Sequence, residues 1–229
     1  MFGVQSLGIE DVLAVAEERV AAGESLARCG FWQAVAAVKG NPELAERFGP
    51  RIAAIDDAAF RRWALLVLPI VPGTLLASVA TAGGLFLIGW AYSLQGLAAV
   101  LAFYAGLGVV LVTTHGLAHL LVGRLLGIRF TAWFIGTIKR PQPGVKVDYR
   151  SYLAAPGASR AWMHASGAVV TKLVPFALIG AAMAADLPIW AVWGLAVIGV
   201  ASIVTDIVWS TKKSDWKKFK REMSLAQNS

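Results

Sequence analysis

The sequence predicts an all-α membrane protein: four transmembrane helices, an amino-terminal cytosolic helical domain and a short interfacial β-hairpin. Three observations lead there. The 229 residues are 57% hydrophobic, with a mean hydropathy of +0.63, too apolar for an ordinary soluble domain. Apolar runs at 63–90, 94–123, 161–184 and 188–210 are each long enough to cross a hydrocarbon core of about 30 Å. The connections between them carry basic residues on one side only, as the retention of Lys and Arg in the cytosol requires.

Residues 1–62 form the first unit. They hold seven Lys or Arg against nine Asp or Glu, so the chain's net charge of +7 belongs to the later connections and the tail. That distribution follows membrane topology and excludes a nucleic-acid partner. Apolar residues at 9, 12, 13, 16 and 20 make a helical stripe that Gly23 ends, and a second amphipathic segment spans 25–40. Asn41-Pro42 reads as an N-cap with proline at the first helical position, and Gly49-Pro50 as its stop. Nothing in this unit has catalytic spacing, so it reads as a packing or regulatory appendage. Glu10, Asp11, Glu17 and Glu18 come too early for a cleaved signal peptide. Cys29 is the only cysteine, which excludes an intrachain disulfide.

Residues 63–210 form the four-span core. Pro69, Pro72 and Gly83-Gly84 predict a kinked or broken first span. Ala91-Tyr92-Ser93 carries no charge and the third connection only Asp186, whereas Arg61, Arg124, Arg129, Lys139, Arg140, Lys146, Arg150 and Arg160 lie on the opposite side. Both termini are therefore expected in the cytosol, with the protein in the cell's inner or plasma membrane. Between the second and third spans, β-prone residues 128–135, the turn signal Pro141-Gln142-Pro143-Gly144 and the alternation over 145–149 predict a hairpin at 128–149. An interfacial loop with aromatic anchors fits the same residues. The tail, 211–229, sets six cations and two aromatics within residues 211–221, a helix suited to anionic lipids.

The chemistry centres on His115 and His119, two of the three histidines, at the end of the second span. At i and i+4 they share a helix face and can reach one metal ion. At about 1.5 Å per residue, His119 lies roughly 8 Å inside Arg124. Asp206 lies at matching depth inside Lys212, and His164 inside Arg160. An unpaired carboxylate within a span costs on the order of 2.5 to 3.5 kcal/mol, so Asp206 needs a partner. A metal held by His115, His119 and Asp206 supplies one, and nitrogen with oxygen ligation suits zinc. Lys172, two turns beyond His164 on the same face, is a competing partner for Asp206. Without metal, the histidines serve as hydrogen bonders between helices.

These residues give the chain a family context: it resembles the site-2-protease family of intramembrane zinc metalloproteases over about 94–210. The resemblance rests on the paired histidines, on Val122-Gly123-Arg124-Leu125-Leu126-Gly127-Ile128 after them, and on Ala165-Ser166-Gly167-Ala168-Val169-Val170-Thr171, with Gly167 kept and Thr171 at the amide position. It implies His115, His119 and Asp206 as zinc ligands, and the hairpin as an element that adds a strand to an unwound membrane peptide. One position departs. The family's general base follows the first histidine, where this chain has Gly116, and losing it removes a contribution of about 10²- to 10⁴-fold. Asp148 is the only other carboxylate between the second and third spans, and would have to fold back to replace it. The resemblance therefore implies a membrane-embedded metal-binding pseudoprotease that binds membrane substrates or partners. The alternatives are an active protease with a relocated base and a haem protein using His115 or His119 with His164. Ligation by His164 as a fourth donor would close the site.

Overall fold

The computed structural model describes residues 8–39, 41–138, 141–208 and 214–227. Three helices come first: α1 (Ile9–Ala21), α2 (Phe31–Lys39) and α3 (Pro42–Trp63). The stripe predicted for α1 buries Val12, Leu13, Ala16 and Val20. Asn41 caps α3 as expected, its side chain accepting from the amides of Glu43 (2.9 Å) and Leu44 (3.2 Å). Gly49-Pro50 does not stop α3, which continues through Pro50. Pro50 and Glu46, whose carbonyl loses its donor, are both exposed, so the lost hydrogen bond is left open to solvent, and Gly49 offers no side chain to crowd the ring. Phe31, Leu13, Ile52 and Val38 form the core of this unit.

Among the described residues, four helices or helix pairs are long and apolar enough to cross a membrane, Ile70–Ser93, Gly96–Leu125, Gly157–Ala184 and Ile189–Val208, which fits an integral membrane protein. They comprise α4 (Ile70–Trp90), α5 (Gly96–Leu125), α7 (Gly157–Ala177) with α8 (Ile179–Ala184), and α9 (Ile189–Val208). Phe103, Leu107, Val110 and Leu195 belong to one buried apolar cluster to which α4, α5, α8 and α9 all contribute. The first span starts at Ile70 rather than at 63, because Leu66–Pro69 is a strand, β1.

β1 adds a third strand to the predicted hairpin of β2 (Phe130–Ile135) and β3 (Pro143–Val147), giving the antiparallel order β1-β2-β3. Leu66 pairs with Ile135, and Trp133 with Val145. Pro143-Gly144, read as turn, belongs to β3. The short helix α6 (Tyr149–Ala154) follows, and α10 (Asp215–Gln227) closes the described chain. β1 leads into α4, β2 follows α5, α6 precedes α7 and α10 follows α9. The sheet, α6, α10 and the amino-terminal helices therefore gather at one end of the four-span core.

Candidate metal centre

At that end His115 and His119 bring their Nε2 atoms to 3.2 Å from each other, and each lies 3.3 Å from Oδ2 of Asp215. The hydrogen-bond network fixes what those atoms offer. His119 Nδ1 lies 2.7 Å from the Met163 carbonyl, which can only accept, so Nδ1 carries the proton. The Thr171 hydroxyl spends its proton on the Gly167 carbonyl at 2.8 Å and accepts from His115 Nδ1 at 2.9 Å. With Nδ1 as the proton-bearing atom, each Nε2 presents its lone pair, and both face a carboxylate oxygen. Three acceptors converge on one point with no proton between them, an arrangement that a cation resolves.

The dimensions suit a small transition metal. A tetrahedron with bonds of about 2.0 Å has edges of about 3.3 Å, so the three atoms mark three corners of a zinc-sized site. His115, His119 and Asp215 are the group among the described residues that can hold a metal ion. The pattern around the histidines is that of metal ligands, each ring's second nitrogen being held by a fixed acceptor. A cavity of about 790 Å³ adjoins the site, lined by His115, His119, His164, Lys172 and Asp215 among others, so a fourth corner has room for water or another ligand.

Asp215 lies outside the four spans, on α10. Burial alone would push its carboxyl up. The Lys218 ammonium counters that and favours the carboxylate. Lys218 Nζ sits 3.0 Å from Oδ1 and orients the group.

The third ligand expected at this site is Asp206, and the structure puts it elsewhere. Asp206 pairs with Lys172, whose ammonium also donates to the Ala168 carbonyl at 3.2 Å. The competing partner wins because Lys172 on α7 and Asp206 on α9 project toward each other and neutralise one another. His164 does not join the metal ligands either. Its Nε2 meets the Tyr152 hydroxyl at 2.9 Å. A porphyrin on Nε2 of His115 or His119 would collide with the neighbouring ring and with Asp215, so the site does not fit haem. Asp148 caps α6, accepting from the amides of Arg150 (3.2 Å) and Ser151 (3.4 Å), and is not recruited as a base.

Gly116 is closed to any larger residue. A Cβ there would lie 2.5 and 2.7 Å from Cζ3 and Cη2 of Trp133. The indole descends from β2 into a slot between α5 and α4, where a Cβ on Gly73 would meet its root and pyrrole end at 2.5 to 2.8 Å. Its Nε1 donates to the Thr74 hydroxyl at 3.0 Å. The room that a side chain at position 116 would take is filled by an aromatic ring. Gly167 has a similar role toward the ligands, since a Cβ there would strike the His119 ring.

Sequence reasoning missed Asp215 and Glu222. Their signal was two acids seven residues apart, one helical face, within a tail otherwise rich in Lys and Arg. Comparison with known proteins finds no relative: no family model, curated protein or solved structure matches the chain.

Proposed function

We propose that this chain is a membrane-embedded zinc-binding protein that engages membrane peptides without hydrolysing them, a pseudoprotease on the plan its sequence resembles. The carrying observation is the pair of facts at His115-Gly116. The histidine beside Asp215 offers a bare nitrogen to a metal, while Trp133 occupies the room that a catalytic glutamate needs. Zinc bound by His115, His119 and Asp215 would act as a Lewis acid toward a carbonyl or a water molecule. The chain's own residues orient the imidazoles through Met163 and Thr171, but place no free carboxylate beside the first histidine.

β3 is an edge strand of the sheet. Gln142, Pro143 and Gly144 share a cavity wall with His115, Gly116 and Thr171. An extended peptide adding to β3 would hydrogen-bond along that edge and pass the metal. The one-sided arrangement of cations supports a reading in which both termini and the site face the cytosol from the cell's inner or plasma membrane. The exposed Lys217, Lys220 and Arg221 and the stacked Trp216 and Phe219 give α10 an outward face for anionic lipid.

Metal analysis of the purified protein beside a His115→Ala variant tests the ligand assignment, with about one zinc per chain expected and loss in the variant. A peptide-cleavage assay with and without metal tests the rest, and zinc-dependent cleavage abolished by His119→Ala would sink the pseudoprotease reading.

A further inference from the structure

Helix α10 is held by two carboxylates on one face, and the two are satisfied in different ways. Glu222 is fully buried. Oε1 accepts from Lys39 of α2 at 2.6 Å and from the Tyr152 hydroxyl of α6 at 3.2 Å, and Oε2 accepts from Arg160 of α7 at 2.7 Å. Every donor there belongs to the protein, so this anchor needs nothing added. Around it the helix runs close over the start of α7, where a Cβ on Gly157 would lie 2.9 Å from the Glu222 carbonyl oxygen.

Asp215, seven residues earlier, is only half satisfied. Oδ1 has Lys218, but Oδ2 faces the bare Nε2 atoms of His115 and His119. Three acceptors at 3.2 to 3.3 Å repel one another unless a cation lies between them. The Glu222 end therefore stays docked with or without metal, whereas docking of the Asp215 end is coupled to the occupant of the histidine site. We infer that the first turn of α10 is a latch closed by a divalent transition metal, so that metal bound by the histidine pair draws Asp215 down over the adjoining cavity and metal loss frees it. The chain then senses metal, because access to the cavity beside His164 and Lys172 depends on whether the site is loaded. This inference rests on the metal reading above, and adds to it that Asp215 is a movable ligand on an otherwise fixed helix.

The test is hydrogen exchange of the full chain in lipid nanodiscs, with stoichiometric zinc and with excess EDTA, metal content being measured on the same samples. Amides 218 to 221 report the first turn, since their helical acceptors are the carbonyls of residues 214 to 217. Exchange there is expected to be about ten-fold or more faster in EDTA, as a ligand that binds only the closed form stabilises it in proportion to 1 + [L]/Kd. Amides 224 to 227 change little. In Asp215→Asn the zinc dependence disappears while Glu222 still holds the later turns; in Glu222→Gln the whole helix exchanges faster with or without zinc. If zinc binds stoichiometrically and amides 218 to 221 exchange equally in both conditions, the latch is wrong and the metal site stands. If Asp215→Asn keeps its zinc-dependent protection, the latch is likewise overturned. If no metal binds, the reading beneath it fails and the latch falls with it.

Discussion

The sharpest test of the packing around the site is Gly116→Ala, the smallest enlargement of the residue between the histidines. Carbon atoms pack at about 3.5 to 4.0 Å, and a methyl group here would lie 2.5 and 2.7 Å from the Trp133 ring, an overlap of about 1 Å. The ring has little freedom to retreat, because Gly73 lies against its root and pyrrole end and Thr74 holds its Nε1. Overpacking of this kind costs about 1 to 3 kcal/mol, and the blocked retreat puts the cost near the upper end. For a chain of this size about 3 kcal/mol lowers Tm by roughly 6 to 12 °C. Trp133→Ala alone removes a wedged aromatic side chain and costs about 3 to 5 kcal/mol. The double variant should be no less stable than Trp133→Ala, since the methyl group then enters space the ring vacated. Thermal unfolding of the four proteins in one detergent measures the cycle. Additivity within about 0.5 kcal/mol would show that the two residues do not compete for one space, and the account of why no base stands at position 116 would be lost.

Four other outcomes follow from the geometry. Asp215→Asn should weaken zinc binding on the order of 10²-fold or more, beyond the loss usual for a residue that only orients a ligand, while Asp206→Asn leaves zinc content unchanged; isothermal titration of both variants distinguishes the two carboxylates. Gly167→Ala drives a methyl group into the His119 ring, so metal content should fall although no ligand is altered, which metal analysis will show. Glu222→Ala strands Lys39 and Arg160 without their carboxylate and should cost about 3 to 5 kcal/mol, read as a fall in Tm. Acid should act at the same point. Burial raises the Glu222 carboxyl, but Lys39 and Arg160 outweigh it and hold its pKa at about 2 against an ordinary 4.5. Its contribution is present in full above about pH 4.5 and is lost as pH falls from there toward 2. Unfolding followed from pH 6 to pH 3 should show that loss, and Glu222→Gln should show a flatter profile.

The sequence revealed the spans because apolar length is a local property, and it revealed the histidine pair because a spacing of four residues is fixed by the helix itself. The capped start of α3 was readable for the same reason, as Asn41 acts on amides two and three residues away. β1 was hidden inside an apolar run, since Leu66-Val67-Leu68 fits a span as well as a strand and only pairing with β2 decides. Asp206 was assigned by depth, which places a residue along the membrane normal but not around the helix. Lys172 stood at a compatible depth and took it. Asp215 could not be found by depth at all, because it reaches the histidines from a helix outside the spans. Trp133 was read as part of a strand; that its ring would occupy the position beside His115 is a matter of how the sheet docks on α4 and α5.

The position of Asp215 on α10 also orders events during synthesis. Chains fold in the order in which they are made, and His115 and His119 enter the membrane two spans before Asp215 exists. Until α9 has been inserted and α10 has followed it, the histidines are a two-nitrogen site of low affinity. Lys39, made early, waits in the same way for Glu222. On the proposed metal reading, the three-ligand site is thus a certificate of completed assembly: it forms only when α9 is in place and the last described helix has come back to the first domain.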